Sequence, residues 1–268
     1  MQRDAQCALP RYARVAAIAI FLIAPAAALA QSSTAIPEWI GLGARTRPAY
    51  DGSASQRFEL IPTVRYYGQP WFARTTQGIL EGGAQWGLAA GLHAGAQLAY
   101  EGGRLASESS FLRDHNVEDV DPGASAGVHL EWDHQFGPMP VNVLGRLRQN
   151  IDADRGSRQD LRMTAGILGN GPVLAAVFVQ ATWAYAKSNQ AYYGIAPDRS
   201  GATGLPAFSP GGGLLFASAG LLWSVDLSRT WIVVGGLEAR HLEGDAARSP
   251  LVERDWNYYA SAALAYKF

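Results

Sequence analysis

Trp256-Asn257-Tyr258-Tyr259-Ala260-Ser261-Ala262-Ala263-Leu264-Ala265-Tyr266-Lys267-Phe268 is the stretch from which the whole chain is read. Every even position is apolar or aromatic, whereas the odd positions include Asn257, Ser261 and Lys267. Side chains of a strand point alternately to opposite faces, so this is a strand with one greasy face and one mixed face. On the greasy face, aromatic rings stand at both ends with small residues between them. That is the arrangement of a lipid-facing strand whose aromatics sit at the two membrane interfaces. A terminal Phe after such a strand is the ending that bacterial outer-membrane barrels commonly present for assembly. An edge strand of a soluble sandwich is the competing reading, and the rest of the chain has to decide.

The same alternation recurs along the sequence. Runs begin at Trp39, Phe58, Trp71, Leu88, Val128, Val141, Leu161, Val173, Leu215 and Trp231. Pro62, inside the second run, lacks a ladder donor and is expected where strand pairing is weak. Gly68-Gln69-Pro70, Gly137-Pro138-Met139-Pro140, Gly169-Asn170-Gly171-Pro172 and Asp226-Leu227-Ser228-Arg229 read as short turns. The long polar connections are 101–123, 151–159, 187–212 and 243–255. From Leu88 onward, long and short connections alternate, so all four long loops fall at one end. Long external loops and short periplasmic turns are the habit of outer-membrane barrels, and a sandwich gives no reason for it. The fold class is therefore all-β, an antiparallel transmembrane β-barrel. Eleven runs are clear and single-chain bacterial barrels have even strand numbers, so twelve strands are expected, with ten as the alternative. The missing element should lie before residue 88: either Trp71–Leu80 conceals two elements, or the Trp39 run is part of a longer hairpin.

Residues 1–30 read as a cleaved signal peptide: Arg11 and Arg14, an apolar run from Val15 to Ala24, then Ala28-Leu29-Ala30 before Gln31. The single cysteine, Cys7, lies in that segment, so 31–268 form one barrel domain without disulfide or thiolate metal site. Removing three arginines and one aspartate with the leader takes the net charge from −1 to about −3, which argues against a nucleic-acid partner. The longest apolar run of the remainder, Val173 to Val179, is too short for a membrane helix.

If the mixed faces look inward, they place Glu59, Arg65, His93, His129, Glu131, Asp133, Arg146, Arg148, Arg162, Glu238, Arg240 and Lys267 in one interior. Both charge signs are present. Such a set can be a cross-linked filling of a small barrel or the wall of a narrow selective channel. Evidence for chemistry is thin. Gly123-Ala124-Ser125-Ala126-Gly127 has the spacing of a nucleophile elbow, but it opens an alternating strand rather than a strand-to-helix turn. Ser125 and His129 are roughly 13 Å apart along a strand, beyond hydrogen-bond reach. His134 and His241 have lipid-side phase without a serine partner, and no histidine pair has metal-ligand spacing with a third ligand. Neither catalytic residues nor a cofactor are expected.

Three blocks carry a family resemblance. Pro48-Ala49-Tyr50-Asp51-Gly52-Ser53 with Leu60-Ile61-Pro62 and Tyr66 resembles the N-terminal part of the MipA/OmpV family. Tyr192-Tyr193-Gly194-Ile195 followed by Ser200-Gly201 is similar to its central external loop. Leu242-Glu243-Gly244-Asp245-Ala246-Ala247-Arg248-Ser249-Pro250-Leu251-Val252 is similar to its late loop, with Gly244, Asp245, Ser249 and Pro250 as the motif positions. The resemblance implies an outer-membrane barrel in contact with membrane lipid. It also implies a scaffold that holds a murein lytic transglycosylase near a penicillin-binding protein. It supplies no catalytic residues and does not fix the oligomeric state.

Overall fold

The computed structural model describes residues 37–169 and 171–268. The expected signal peptide and Cys7 lie outside the described residues, as does Asn170 of the expected Gly169–Pro172 turn. Twelve antiparallel strands close into one barrel, each paired with its sequence neighbours and the last with the first. They are β1 Trp39–Pro48, β2 Gln56–Tyr67, β3 Trp71–Thr76, β4 Ile79–Ala89, β5 Leu92–Glu101 and β6 Gly123–Phe136. The second half comprises β7 Met139–Asn150, β8 Ser157–Leu168, β9 Val173–Ala184, β10 Gly213–Asp226, β11 Trp231–Leu242 and β12 Trp256–Lys267. Closure runs through β1 and β12, where Leu42 faces Leu264 and Trp39 faces Lys267.

The outer surface is the greasy face read from the sequence. Leu42, Leu60, Leu98, Leu130, Leu161, Val179, Leu237 and Leu264 are exposed along it. Trp71, Trp86, Trp132, Trp231 and Tyr266 are exposed toward one rim, and Tyr100, Tyr185, Trp256 and Tyr258 toward the other. In water so large an apolar belt would be untenable, whereas in lipid a closed barrel satisfies its backbone and exposes only side chains. Among the described residues no helix is long and apolar enough to cross a membrane; the strands do the crossing.

The twelfth strand comes from the stretch before residue 88. Gln77 and Gly78 both take positive φ, 54° and 77°, and turn the chain between Thr76 and Ile79. The run from Leu88 to Tyr100, which reads as a single strand, is two strands joined at Ala90-Gly91, with Ala89 facing Leu92. The alternation survives the turn because the two intervening residues keep the phase. Leu215 departs from the expected lipid-facing set. The β9–β10 register shifts between Leu214 and Phe216, and Leu215 is buried beside Tyr193 and Leu242.

β3 is short, and β2 pairs with it only at Arg65, Tyr66 and Tyr67. The ladder ends on a side chain, since the Thr75 hydroxyl donates to the Pro62 carbonyl (3.0 Å) and accepts from the Val64 amide (3.2 Å). Pro62 thus stands where pairing fails, as its missing donor requires. By the two-residue period, the amide groups of Leu60 and Phe58 face the same edge and have no strand partner among the described residues.

The long loops are more structured than their composition suggests. They carry α1 (Ser110–Asp114), α2 (Ala186–Tyr193), α3 (Ser200–Thr203) and α4 (Gly244–Ala247). Loops distant in sequence share a small apolar core of Ala49, Tyr50, Leu112, Val117, Ile195 and Leu251. Residues of four different connections meet there, so the loops form one cap over their end of the barrel.

Candidate functional site

The interior is a chain of buried ion pairs running from strand to strand. Glu81 on β4 has a fully buried side chain and accepts from Arg74 Nε on β3 (2.5 Å) and from Arg146 Nη1 on β7 (3.1 Å). Arg74 also donates to Glu131 on β6 (2.8 Å). Asp160 on β8 faces both Arg146 (3.4 Å) and Arg148 (2.8 Å), and Arg148 reaches Glu101 on β5 (2.9 Å). Several of these bonds are chords across the interior rather than contacts between neighbouring strands. The β3–β4 turn adds another: the Gln77 amide donates to Glu238 on β11 (3.0 Å), and the Gln77 carbonyl accepts from Arg45 on β1 (2.6 Å). Glu81, Arg146, Arg148 and Asp160 are each at most 5 % exposed. Water does not reach these groups, so the side of the lumen formed by β4, β7 and β8 is filled by their ion pairs.

The charged residues read as luminal stand in distinct settings. Glu59 accepts from Arg45 Nε (2.8 Å) and Arg47 Nε (2.9 Å). Arg65 lies over the rings of Trp39 and Tyr67. His93 approaches Asp133 at 3.9 Å near the short-turn rim, where both side chains are exposed. Arg162 has no carboxylate within ion-pair distance among the described residues and lies 3.7 Å above the ring of Phe178. Glu238 accepts from Arg240, which also donates to Asp51 (2.8 Å). Lys267 reaches Asp226 (2.8 Å). His129 is buried edge-on to Phe72. Ser125, of the elbow-like Gly123–Gly127 segment, donates to Glu101 (2.8 Å) rather than to any histidine. His134 stacks on Trp132, and His241 packs against Trp256.

The three family-like blocks meet in the cap although the Tyr50–Leu251 contact spans 201 residues of sequence. Tyr50 donates to the Leu251 carbonyl (2.8 Å), and the Gly52 amide donates to Asn257 (2.9 Å). Gly244 takes φ 58° and opens α4. Asp245 accepts from the Gly211 amide (2.6 Å), and the Ser249 hydroxyl donates to the Tyr193 carbonyl (2.6 Å). Pro250 separates Ser249 from the buried Leu251. Burial opposes ionisation of Asp51, but the Arg240 guanidinium and the Tyr259 hydroxyl outweigh it and hold its carboxyl below the ordinary range. Burial pushes the phenols of Tyr50 and Tyr193 upward, so both remain neutral.

Arg74, Glu81, Glu101 and Asp160 escaped the sequence reading. Arg74 lies inside the unclear run Trp71–Leu80 and Glu81 just beyond it, Glu101 opens a stretch that reads as loop, and Asp160 falls between the 151–159 loop and the run that begins at Leu161. The usable signal was phase: each is an even number of residues from an inward neighbour on its strand.

A family model described as MltA-interacting protein MipA matches residues 40–268. The chain belongs to that family. The MltA-interacting protein of Escherichia coli K12 is 24 % identical over 161 residues, 58 % of this chain and 62 % of the relative. That of Shigella flexneri matches to the same extent. The alignment therefore spans less than two thirds of either relative. Among solved structures, a bacterial polysaccharide outer membrane secretin has a TM-score of 0.44 at 10 % identity, covering 87 % of this chain and 98 % of that one. The β domain of the Bordetella autotransporter BrkA has a TM-score of 0.41 at 11 % identity, covering 87 % and 99 %. With its lipid-facing surface, this member of the MipA family is an outer-membrane β-barrel.

Proposed function

We propose that this barrel is a closed, non-catalytic anchor in the outer membrane that holds a peptidoglycan-remodelling enzyme at the periplasmic face. A lytic transglycosylase is the first partner and a penicillin-binding protein the second. The observation that carries this reading is the buried ion-pair filling, which leaves the rims as working surfaces. The name of the relatives, MltA-interacting protein, suggests the class of partner. The long-loop rim is folded into its own cap, so the short-turn rim is the available one. There the β6–β7 hairpin runs past the start of β5, with Leu92 facing Trp132 and the strands continuing to the Phe136–Met139 pair. Trp132, His134 and Phe136 form a continuous exposed ring cluster on it. Burial of the luminal charges favours this reading over a narrow solute channel.

Two measurements test it. Cross-linking in cells followed by purification of the tagged barrel should enrich a lytic transglycosylase, and Phe136→Ser should weaken that enrichment. Planar bilayers holding the folded protein should remain silent. Steady conductance steps, together with no enriched murein enzyme, would overturn the proposal.

A further inference from the structure

The barrel wall is incomplete beside the upper part of β2. β1 pairs with β2 from Trp39–Arg65 up to Pro48–Gln56, whereas β3 leaves it above Arg65. The β3–β4 hairpin cannot rise to cover the rest, because its Gln77 is tied inward to Arg45 (2.6 Å) and Glu238 (3.0 Å). Above the notch, the β5–β6 connection sends Glu108 across to Arg47 (3.2 Å) and Arg57. The notch thus has a fixed floor and a fixed roof. Between them the backbone N–H and C=O groups of Leu60 and Phe58 on the free edge have no hydrogen-bond partner among the described residues. The side chains of these two residues are 68 % and 72 % exposed, the highest values for large apolar residues among the described ones, so nothing in the chain shields the edge.

The notch lies in the outer-leaflet half of the wall. Phe58 is joined through Thr46 to Ala260, which neighbours the girdle residue Tyr258 on the same face of β12, and the long loops face outward. Hydrocarbon cannot serve a free strand edge. The edge therefore calls for an occupant that both donates and accepts where headgroups give way to chains. A second copy of this chain does not fit. Two copies inserted in the same sense carry β2 in the same direction, each tilted about 35–45° to the membrane normal. A two-fold axis along the normal crosses their edges at about twice that angle, too steep for a ladder. An ester-linked phospholipid offers only acceptors at its linkages. A glycolipid with amide-linked, hydroxylated chains offers N–H and O–H donors as well as carbonyl acceptors. A seat for one chain adjoins the edge. It is a groove of about 600 Å³ on the lipid-facing side, floored by Ala219, Ala239 and Ala260 beside Tyr258 and ending at the polar Thr46 and Gln56. Ligand clefts commonly enclose roughly 300–1,000 Å³.

We propose that upper β2 seats one outer-leaflet glycolipid with amide-linked, hydroxylated acyl chains. Its linkage groups pair with the free backbone groups of Leu60 and Phe58, and one chain lies in the groove. This seat is independent of the scaffold reading, since it lies on the lipid-facing wall and not on a rim.

The test uses the full folded barrel, stripped of lipid in detergent and offered either lipid A, which has such chains, or phosphatidylethanolamine. Native mass spectrometry should show one lipid A retained per barrel and no phosphatidylethanolamine. Leu60→Ala keeps the backbone N–H and should keep the lipid. Leu60→Pro removes that N–H without taking a bond from the β1–β2 ladder, since it stands in phase with Pro62 on the free edge. Its retention of lipid A should fall about tenfold, the worth of one hydrogen bond, in a barrel that is still heat-modifiable on an unboiled gel. Ala260→Phe fills the groove floor and should weaken retention as well. In the unaltered barrel, hydrogen exchange at the Leu60 and Phe58 amides should slow when lipid A is added. Equal retention of the two lipids, no lipid retained, Leu60→Pro or Ala260→Phe binding as tightly as Leu60→Ala, or exchange unchanged by lipid A would overturn the proposal. If Leu60→Pro does not fold, the exchange measurement on the unaltered barrel decides the matter either way.

Discussion

Replacing Glu81 by Gln tests whether the lumen is held by its buried charges. The carboxylate accepts from Arg74, Arg146, Gln97 (3.0 Å) and Thr76 (3.2 Å). Gln preserves the shape but removes the charge that two guanidinium groups share, and it turns an amide N–H toward donors. Arg74 keeps Glu131 at 2.8 Å and Arg146 keeps Asp160 at 3.4 Å, so neither cation is wholly stranded. The expected loss is therefore that of one broken buried pair, about 3–5 kcal/mol, and not twice that. Urea unfolding of the folded barrel, followed by tryptophan emission and by gel mobility without boiling, measures it. Arg146→Met alone should cost a similar amount. The pair Glu81→Gln with Arg146→Met should cost less than the sum by at least ~1 kcal/mol, because the second change removes a cation the first left short of charge. A loss below ~1 kcal/mol for Glu81→Gln, or strict additivity, would refute the reasoning and indicate a wet, screened interior.

Three further outcomes are expected. Asp51 is held below the ordinary aspartate range, so the stability it contributes is present above about pH 4 and disappears as pH falls through its lower folded value; protease access to the cap should rise in that acid window, and Asp51→Asn should show the looser cap already at neutral pH. Gly91 takes φ +71° and an added Cβ would meet the Asp133 carbonyl oxygen, whereas Gly137, at φ +58°, has open space around it. Gly91→Ala should thus reduce the folded fraction on refolding far more than Gly137→Ala, which should cost only about 1 kcal/mol. Leu251 is wholly buried in the cap core, so Leu251→Ala should cost about 2–5 kcal/mol in that layer, seen as faster loop cleavage around an intact, heat-modifiable barrel.

The barrel was legible because lipid imposes a rule on outward residues: one greasy face on every strand, with rings toward its ends. Trp256 to Phe268 displays it without interruption. Inward residues obey no comparable rule. Their partners are set by closure of the sheet, so Arg146 and Glu81, 65 residues apart, could not be matched from the chain alone. Turns that preserve phase were also invisible; Ala90-Gly91 passes from one strand to the next without disturbing the alternation. The cap was hidden for another reason. Its loops are polar in composition, and their few apolar residues, such as Leu112, Ile195 and Leu251, are too sparse to show a period until four separate loops bring them together.

The short third strand gives this barrel a front and a back. Around most of the circumference, lipid tails meet only side chains. Above Arg65 on β2 they would meet amide groups that hydrocarbon cannot serve. Serving them would take water or lipid headgroups drawn in toward Leu60 and Phe58, that is, a bilayer pinched along one sector. A cylinder with one pinched side no longer spins freely among its neighbours. It prefers to turn that side toward thin or disordered lipid, which fixes the compass bearing of everything mounted on its rims.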